Sequence, residues 1–282
     1  MPRLGAHMSI AGGVDQALLR GKQVGCDAIQ IFTKSPNQWR AKDLADDEVE
    51  RFHRNQSETG IHPIVGHTAY LINLGTSDEP LWNRSIDAFV VEMERSQRMR
   101  LPCLVTHPGA HTGAGEEIGM ECIGAALNTI LRQTPQVETM ILLEITAGQG
   151  SVLGHTFEQL ARMITMRECP ERLGVCYDTA HAFTAGYDVR TRATYEQTFR
   201  EFDRVIGLER LRAFHLNDTK KAFQSHVDRH DHIGQGQLGL EAFRLLLNDP
   251  RFAEHPMCLE TPKAADMHDD AMNLATLRGL IK

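Results

Sequence analysis

Eight short apolar runs, set along the whole chain and separated by longer amphipathic stretches, constrain the fold more than any other feature. They cover residues 3–6, 28–32, 63–66, 103–106, 140–143, 174–177, 212–214 and 256–259. Most are bounded by Gly, Pro or polar residues, as parallel strands buried on both faces are. Between them apolar residues recur at helical spacing. Ile86, Phe89, Val90 and Met93 share one face, as do Phe157, Leu160, Met163 and Ile164, and Leu240, Phe243, Leu246 and Leu247. Such stripes are core-facing helix surfaces. Eight strand–helix units in 282 residues predict an α/β protein, a single (β/α)8 TIM barrel spanning 1–282. A doubly wound open sheet is the competing arrangement, because periodicity alone cannot tell a closed sheet from an open one.

Composition narrows the class further. With 41% hydrophobic and 24% charged residues, the chain has the apolar surface for a packed core. No apolar run approaches the ~20 residues of a membrane span, and MPRLGAHMSI has no secretory h-region, so a cytoplasmic protein with no membrane partner is expected. Cys26, Cys103, Cys122, Cys169, Cys176 and Cys258 lack paired spacing and read as reduced, mostly buried thiols. A formal charge of −7 argues against a protein that coats nucleic acid by overall charge. Fourteen histidines stand out.

Many of those histidines stand where the runs end. His7, His67, His107, Glu144, Asp178, His215 and Glu260 close or follow seven of the eight runs. In a barrel these positions share the C-terminal rim, where active sites sit. A single such His or Asp is most simply a hydrogen-bonded core residue or a helix cap. Seven on one rim would need many independent coincidences. Two loops add more: Asp178-Thr-Ala-His181 after the sixth run and Asp228-Arg-His230 after the seventh. Without His7 the set is His67, His107, Glu144, Asp178, His181, His215, Asp228, His230 and Glu260. Nine ligands exceed what one tetrahedral ion takes and suit three ions, three apiece, with a carboxylate free to bridge. Imidazole and carboxylate without thiolate favour Zn²⁺ or Mn²⁺. His7 is either a tenth ligand or a residue that holds a ligand in place. His155 reads as a helix-cap residue, and His53, His62, His111, His255 and His268 as solvent-facing. Gly234-Gln-Gly236-Gln-Leu-Gly239 matches a dinucleotide fingerprint, but the polar SHVDRHDHI before it cannot be the buried strand that motif needs. The glycines are read instead as the turn into the last helical stretch.

The segments HTAYLINLG, LLEITAGQG, GVCYDTAHAFTAGYD, FHLNDTK and HVDRHDHIGQG, between GAHMSIAGG and the LET around Glu260, resemble the endonuclease IV family of apurinic/apyrimidinic DNA repair nucleases. The resemblance runs over nearly the whole chain, with several multi-residue motifs in order. It implies a TIM barrel, three zinc ions (Mn²⁺ being possible in one site) and a partner in double-stranded DNA containing abasic sites. The reaction implied is hydrolysis of the phosphodiester 5′ to the lesion, leaving a 3′-hydroxyl and a 5′-deoxyribose phosphate. Position by position, His67, His107 and Glu144 would hold one ion. Glu144 would bridge to a second on Asp178, His215 and Glu260, and His181, Asp228 and His230 would hold a third. Glu144 and Glu260 would be the catalytic carboxylates, Glu260 also accepting the proton of the attacking water.

Departures from the family pattern fall outside these nine. Ile145 stands where Asn or Thr is more usual, Tyr177 where an aliphatic residue is usual, and His226 where an arginine is common. Asn37 occupies the place of an arginine that some members insert into DNA. Lys34, Asn37, Tyr70, Leu71 and Arg229 are the expected DNA contacts. Tyr70 and Leu71 are set to fill the gap left by an extruded abasic nucleotide, and Lys34 and Arg229 to meet phosphate. Arg40, Lys220 and Lys221 add positive charge on the same rim, Lys221 reading as a solvated surface charge. A monomer is expected. The rival reading is a divalent-metal sugar isomerase or epimerase on the same barrel. It would need only Glu144, Asp178, His215 and Glu260, and leaves His67, His107 and the Asp228–His230 loop without a purpose. A third reading, a non-catalytic DNA- or metal-binding protein, predicts binding without incision.

Overall fold

The structure, a computed structural model, describes residues 2–165, 168–264 and 266–282. Eight parallel strands close into a barrel: β1 (Arg3–Met8), β2 (Ala28–Phe32), β3 (Ile64–His67), β4 (Cys103–Thr106), β5 (Met140–Glu144), β6 (Leu173–Asp178), β7 (Leu211–Leu216) and β10 (Pro256–Leu259). Closure is made by β10 against β1, from Arg3 opposite Pro256 to Ala6 opposite Leu259. That pairing excludes the open sheet. Around the barrel run α1 (Val14–Val24), α2 (Asp46–Thr59), α3 (Glu79–Arg98), α4 (Glu116–Gln133), α5 (Phe157–Thr165), α7 (Arg192–Val205), α8 (Gly239–Leu247) and α9 (His268–Arg278).

A short helix and a hairpin interrupt the simple alternation. The short helix α6 (Thr179–Ala185) follows β6 directly, and the seventh loop carries a small antiparallel hairpin, β8 (Asp218–Thr219) with β9 (His230–Asp231). One expectation about packing is corrected. Leu240 does not join the stripe of Phe243, Leu246 and Leu247, and is 45% exposed at the start of α8.

Strand geometry explains why the site forms on the rim. Val65, Cys103, Val105, Leu142, Cys176 and Ala213 pack together inside the barrel, so the interior is a filled core. Side chains two residues apart share a strand face. Hence His67 stands above Val65, His107 above Val105, Glu144 above Leu142, Asp178 above Cys176 and His215 above Ala213. The same step leads from Cys258 to Glu260. Register aligns them, with Asp178 opposite His215 on β6 and β7. Close strand approach is assisted at Gly5, where a Cβ would lie 1.8 Å from the Ala28 carbonyl oxygen. All six cysteines are free thiols, and burial pushes Cys26, Cys103 and Cys176 up to about 12, which keeps them protonated.

Candidate metal centre

The nine rim residues meet in three adjoining groups. His67, His107 and Glu144 form one, and Glu144, Asp178, His215 and Glu260 a second. In the third, Asp178 joins His181 and His230, whose Nε2 atoms each lie 3.3 Å from an Asp228 carboxylate oxygen. Glu144 is shared by the first two groups and Asp178 by the last two.

Local structure sets each ligand. Asp178 caps α6, its Oδ1 accepting the His181 backbone N–H at 2.8 Å, so it is a cap and a candidate ligand at once. The i, i+3 spacing then fixes where His181 stands. His230 opens β9, whose pairing with β8 brings the seventh loop back over the rim. Gln149 Oε1 accepts the Asp228 N–H at 3.0 Å and holds that loop to the fifth.

Tautomers follow from partners that can only accept. Nδ1 of His67, His181 and His230 lies 2.8, 3.0 and 3.1 Å from the carbonyls of Thr68, Ile145 and Glu260, so each donates from Nδ1. Their Nε2 atoms therefore face the site, free to hold either a proton or a metal ion. His67 Nε2 is 3.3 Å from Glu144 Oε2, and His181 Nε2 is 3.4 Å from His230 Nε2. His215 is reversed: its Nε2 donates to Gln30 Oε1 at 2.7 Å, leaving Nδ1 3.0 Å from Glu144 Oε1 and 3.3 Å from Glu260 Oε2. Acceptors facing acceptors at these distances repel unless a cation or a proton lies between them. A backbone carbonyl or amide fixing the far ring nitrogen is the usual outer support of a metal-bound histidine. The donor set thus fits divalent ions.

Electrostatics agree. Burial would push Glu144 up, but the positive charges of His215 and His107 and hydrogen bonds from His107 and His181 outweigh it and hold it well below the usual carboxylate range. Glu260 is held well below its ordinary value against the same burial cost, by His215 and His7. Asp228 falls to about 2, with His181 and His230 overcoming desolvation. Burial opposes protonation of His181 and His215, yet both are raised well above the ordinary imidazole value, His181 by Asp178, Asp228 and Glu144, and His215 by Cys176 with Glu144 and Glu260. The site attracts positive charge strongly.

The site opens into a cavity of about 730 Å³ bordered by Phe32, Pro36, Tyr70, His107, Arg229 and Glu260. His7 belongs to the support of the site: its Nδ1 is 3.0 Å from Gln30 Nε2 and 3.3 Å from Glu260 Oε1. Burial pushes it down to about 4, so it stands neutral. Of the expected DNA contacts, Tyr70 is 65% exposed with its ring edge on Phe32. Asn37 and Arg229 are exposed and Leu71 half-buried. Lys34 is placed differently. It is buried, donating to the Gln38 carbonyl at 2.7 Å and lying 3.6 Å from Glu92, so its ammonium is turned into the protein and not toward phosphate. Three histidines expected in solvent have structural partners: His111 Nδ1 accepts the Gly113 and Gly115 N–H groups, His255 donates to the Leu211 carbonyl, and His53 to that of Arg98. His62 and His268 are exposed.

Two residues escaped the sequence reading. Gln30 donates to Glu260 at 2.6 Å while accepting from His215, and Asn217 donates to Asp178 Oδ2 at 2.7 Å while accepting the Glu260 N–H at 2.9 Å. The signal for Gln30 is present in AIQIF: an amide alternating with Ile29 and Ile31 faces the barrel interior. The glycine motif of residues 234–239 wraps the buried Asp218, whose carboxylate accepts the N–H groups of Gly234, Leu238 and Gly239. It is a turn, as its polar context indicated.

The pattern of the xylose isomerase-like TIM-barrel family matches residues 18–278. A protein of Chloroflexus aggregans named "Probable endonuclease 4" is 54% identical over 282 residues, covering 100% of this chain and 99% of its own. The crystal structure of endonuclease IV from Thermus thermophilus superposes with a TM-score of 0.87 at 36% identity, covering 99% of this chain and 98% of that one. This chain belongs to the endonuclease IV family. A D-tagatose 3-epimerase-like protein, with a TM-score of 0.72 over 99% of this chain and 98% of its own, is only 16% identical, a likeness of fold alone. The nine residues that the resemblance marks as metal ligands are the nine that the barrel brings together here.

Proposed function

We propose that this chain is an abasic-site DNA repair endonuclease, hydrolysing the phosphodiester 5′ to the lesion with three zinc ions. One observation carries the reading: the nine residues form three groups linked through Glu144 and Asp178, beside an open cavity edged by an exposed aromatic side chain. His67, His107 and Glu144 would hold the first ion, Glu144, Asp178, His215 and Glu260 the second, and His181, Asp228 and His230 the third. Bound there, zinc would supply a water acidified to a pKa of about 7 and charge neutralisation for the phosphate and leaving oxygen.

The chain's own residues do the rest. Glu260, held ionised and oriented by Gln30 and Asn217, accepts the proton of the attacking water. Tyr70 and Leu71 enter the gap of the extruded nucleotide, which costs little to flip because it has no base to unstack. Arg229, exposed at the cavity edge, meets the backbone, and Asn37, exposed on the second loop next to Pro36, is offered to it as well. The −7 overall charge is compatible, because local charge at the rim governs the encounter. The epimerase alternative uses the second group alone and leaves the first and third without a role.

The test is incision of a synthetic duplex with one abasic site, with and without chelator. The reading expects one cut 5′ to the lesion, an extendable 3′-hydroxyl, and loss of activity on chelation that zinc restores. Binding without any cut would instead favour the non-catalytic alternative.

A further inference from the structure

A charged pair unused by the proposed chemistry lies beneath the loops that edge the cavity. Glu92, on α3, is fully buried. Its Oε2 accepts the Thr33 hydroxyl at 2.7 Å, and its Oε1 accepts the Ala69 N–H at 3.0 Å. Lys34 Nζ lies 3.6 Å from Oε1 and donates to the Gln38 carbonyl at 2.7 Å. One carboxylate therefore joins the start of the loop after β2, which carries Pro36 and Asn37, to the start of the loop after β3, which carries Tyr70 and Leu71. Pro36 and Tyr70 both line the cavity. Burial pushes the Glu92 carboxyl up, while the Ala69 N–H, Lys34 and Thr33 draw it back.

The clamp continues along the same face of α3. Arg95, three residues on, donates to the carbonyls of Thr33 and Lys42, both at 2.8 Å, and Arg98, three further, to that of Leu44. A buried ion pair adds little stability over a well-packed apolar pair, but its hydrogen bonds are directional and fix one arrangement. None of these hydrogen bonds or ion pairs of Glu92 goes to the nine rim residues.

We propose that Glu92, through Lys34, Thr33 and Ala69, is the positioning residue that sets the two DNA-probing loops against each other, and so determines how well the enzyme distinguishes abasic from intact duplex. The proposal rests on the abasic-endonuclease reading above. It makes the second and third loops one unit, although Lys34 and Thr68 are 34 positions apart in sequence.

The test uses the zinc-loaded full chain and the variants Glu92→Leu, Glu92→Gln and Lys34→Met. Affinities for abasic and intact duplexes of one sequence are measured beside KM, kcat and zinc per chain. Glu92→Leu and Lys34→Met are each expected to lower the preference for abasic duplex about tenfold or more, with KM rising more than kcat falls and zinc content retained. Glu92→Gln, which keeps one acceptor oxygen, is expected to lose less than Glu92→Leu. Should Glu92→Leu fail to fold, Lys34→Met carries the comparison, since its unbranched stem fills the same space. A DNA-free readout accompanies these: in a Trp82→Phe background, the emission of Trp39, in the clamped loop, should shift on Glu92→Leu or Lys34→Met. A preference and an emission unchanged by the variants overturn the proposal while the endonuclease reading stands. A loss that follows zinc content also overturns it. A parent chain with no preference for abasic duplex defeats the reading beneath it, and the proposal with it.

Discussion

At the residue scale, the site is a set of acceptors turned toward one another. His67, His181 and His230 give their Nδ1 protons to backbone carbonyls and His215 its Nε2 proton to Gln30, so four imidazole nitrogens free to hold a proton or an ion point at carboxylates or at each other. Glu260 stands apart by its position: at the cavity edge, 19% exposed, where Glu144 and Asp178 are fully buried. Replacing Glu260 with Gln keeps one oxygen for a metal but removes the charge and the proton acceptor. We expect Glu260→Gln to retain most of its zinc and to lose at least about tenfold in incision, a barrier rise of about 1.4 kcal/mol. A smaller loss, measured on abasic duplex at matched zinc content, would remove the proton-accepting role. All nine rim residues were legible, because six of them lie on a strand or at its end, where period-2 geometry fixes their direction. Gln30 was not, because attention to the residues that end the runs passes over one inside a run.

At the element scale, what the sequence concealed is short. The helix α6 has seven residues, too few for a visible stripe, and β8 and β9 have two each, below any periodic signal. Yet these elements deliver the third group: α6 carries His181, and β9 with the turn before it carries His230 and Asp228. His230→Ala should therefore remove one ligand from the third group and leave the Glu144-linked pair intact. The expected result is about two zinc ions per chain, sharply reduced incision and an unchanged far-ultraviolet spectrum. Full incision with full metal would instead show that the seventh loop is not part of the centre. The glycine motif belongs to this scale too. A Cβ at Gly236 would lie 2.4 Å from both Asp218 Oδ1 and the Thr219 carbonyl oxygen. Gly236→Ala is expected to cost about 1–3 kcal/mol in denaturant unfolding, as overpacking does. No loss of stability would show that the turn is not packed on Asp218.

At the scale of the whole molecule, eight runs bounded by turn residues were enough to place every barrel strand, because strands buried on both faces read as unbroken apolar segments. Closure was not legible from those runs, since hydrogen bonding between β1 and β10 joins residues some 250 positions apart. The barrel is also shared with an epimerase-like protein, so the fold by itself does not choose the chemistry. On the proposed reading, the three linked groups do. Titrating the metal-stripped chain with zinc, and following incision of an abasic duplex at each equivalent, tests that claim most directly. The account predicts little cutting until about three ions per chain are bound, and full activity at that point. Full activity at a single ion per chain, or in the presence of chelator, would contradict it.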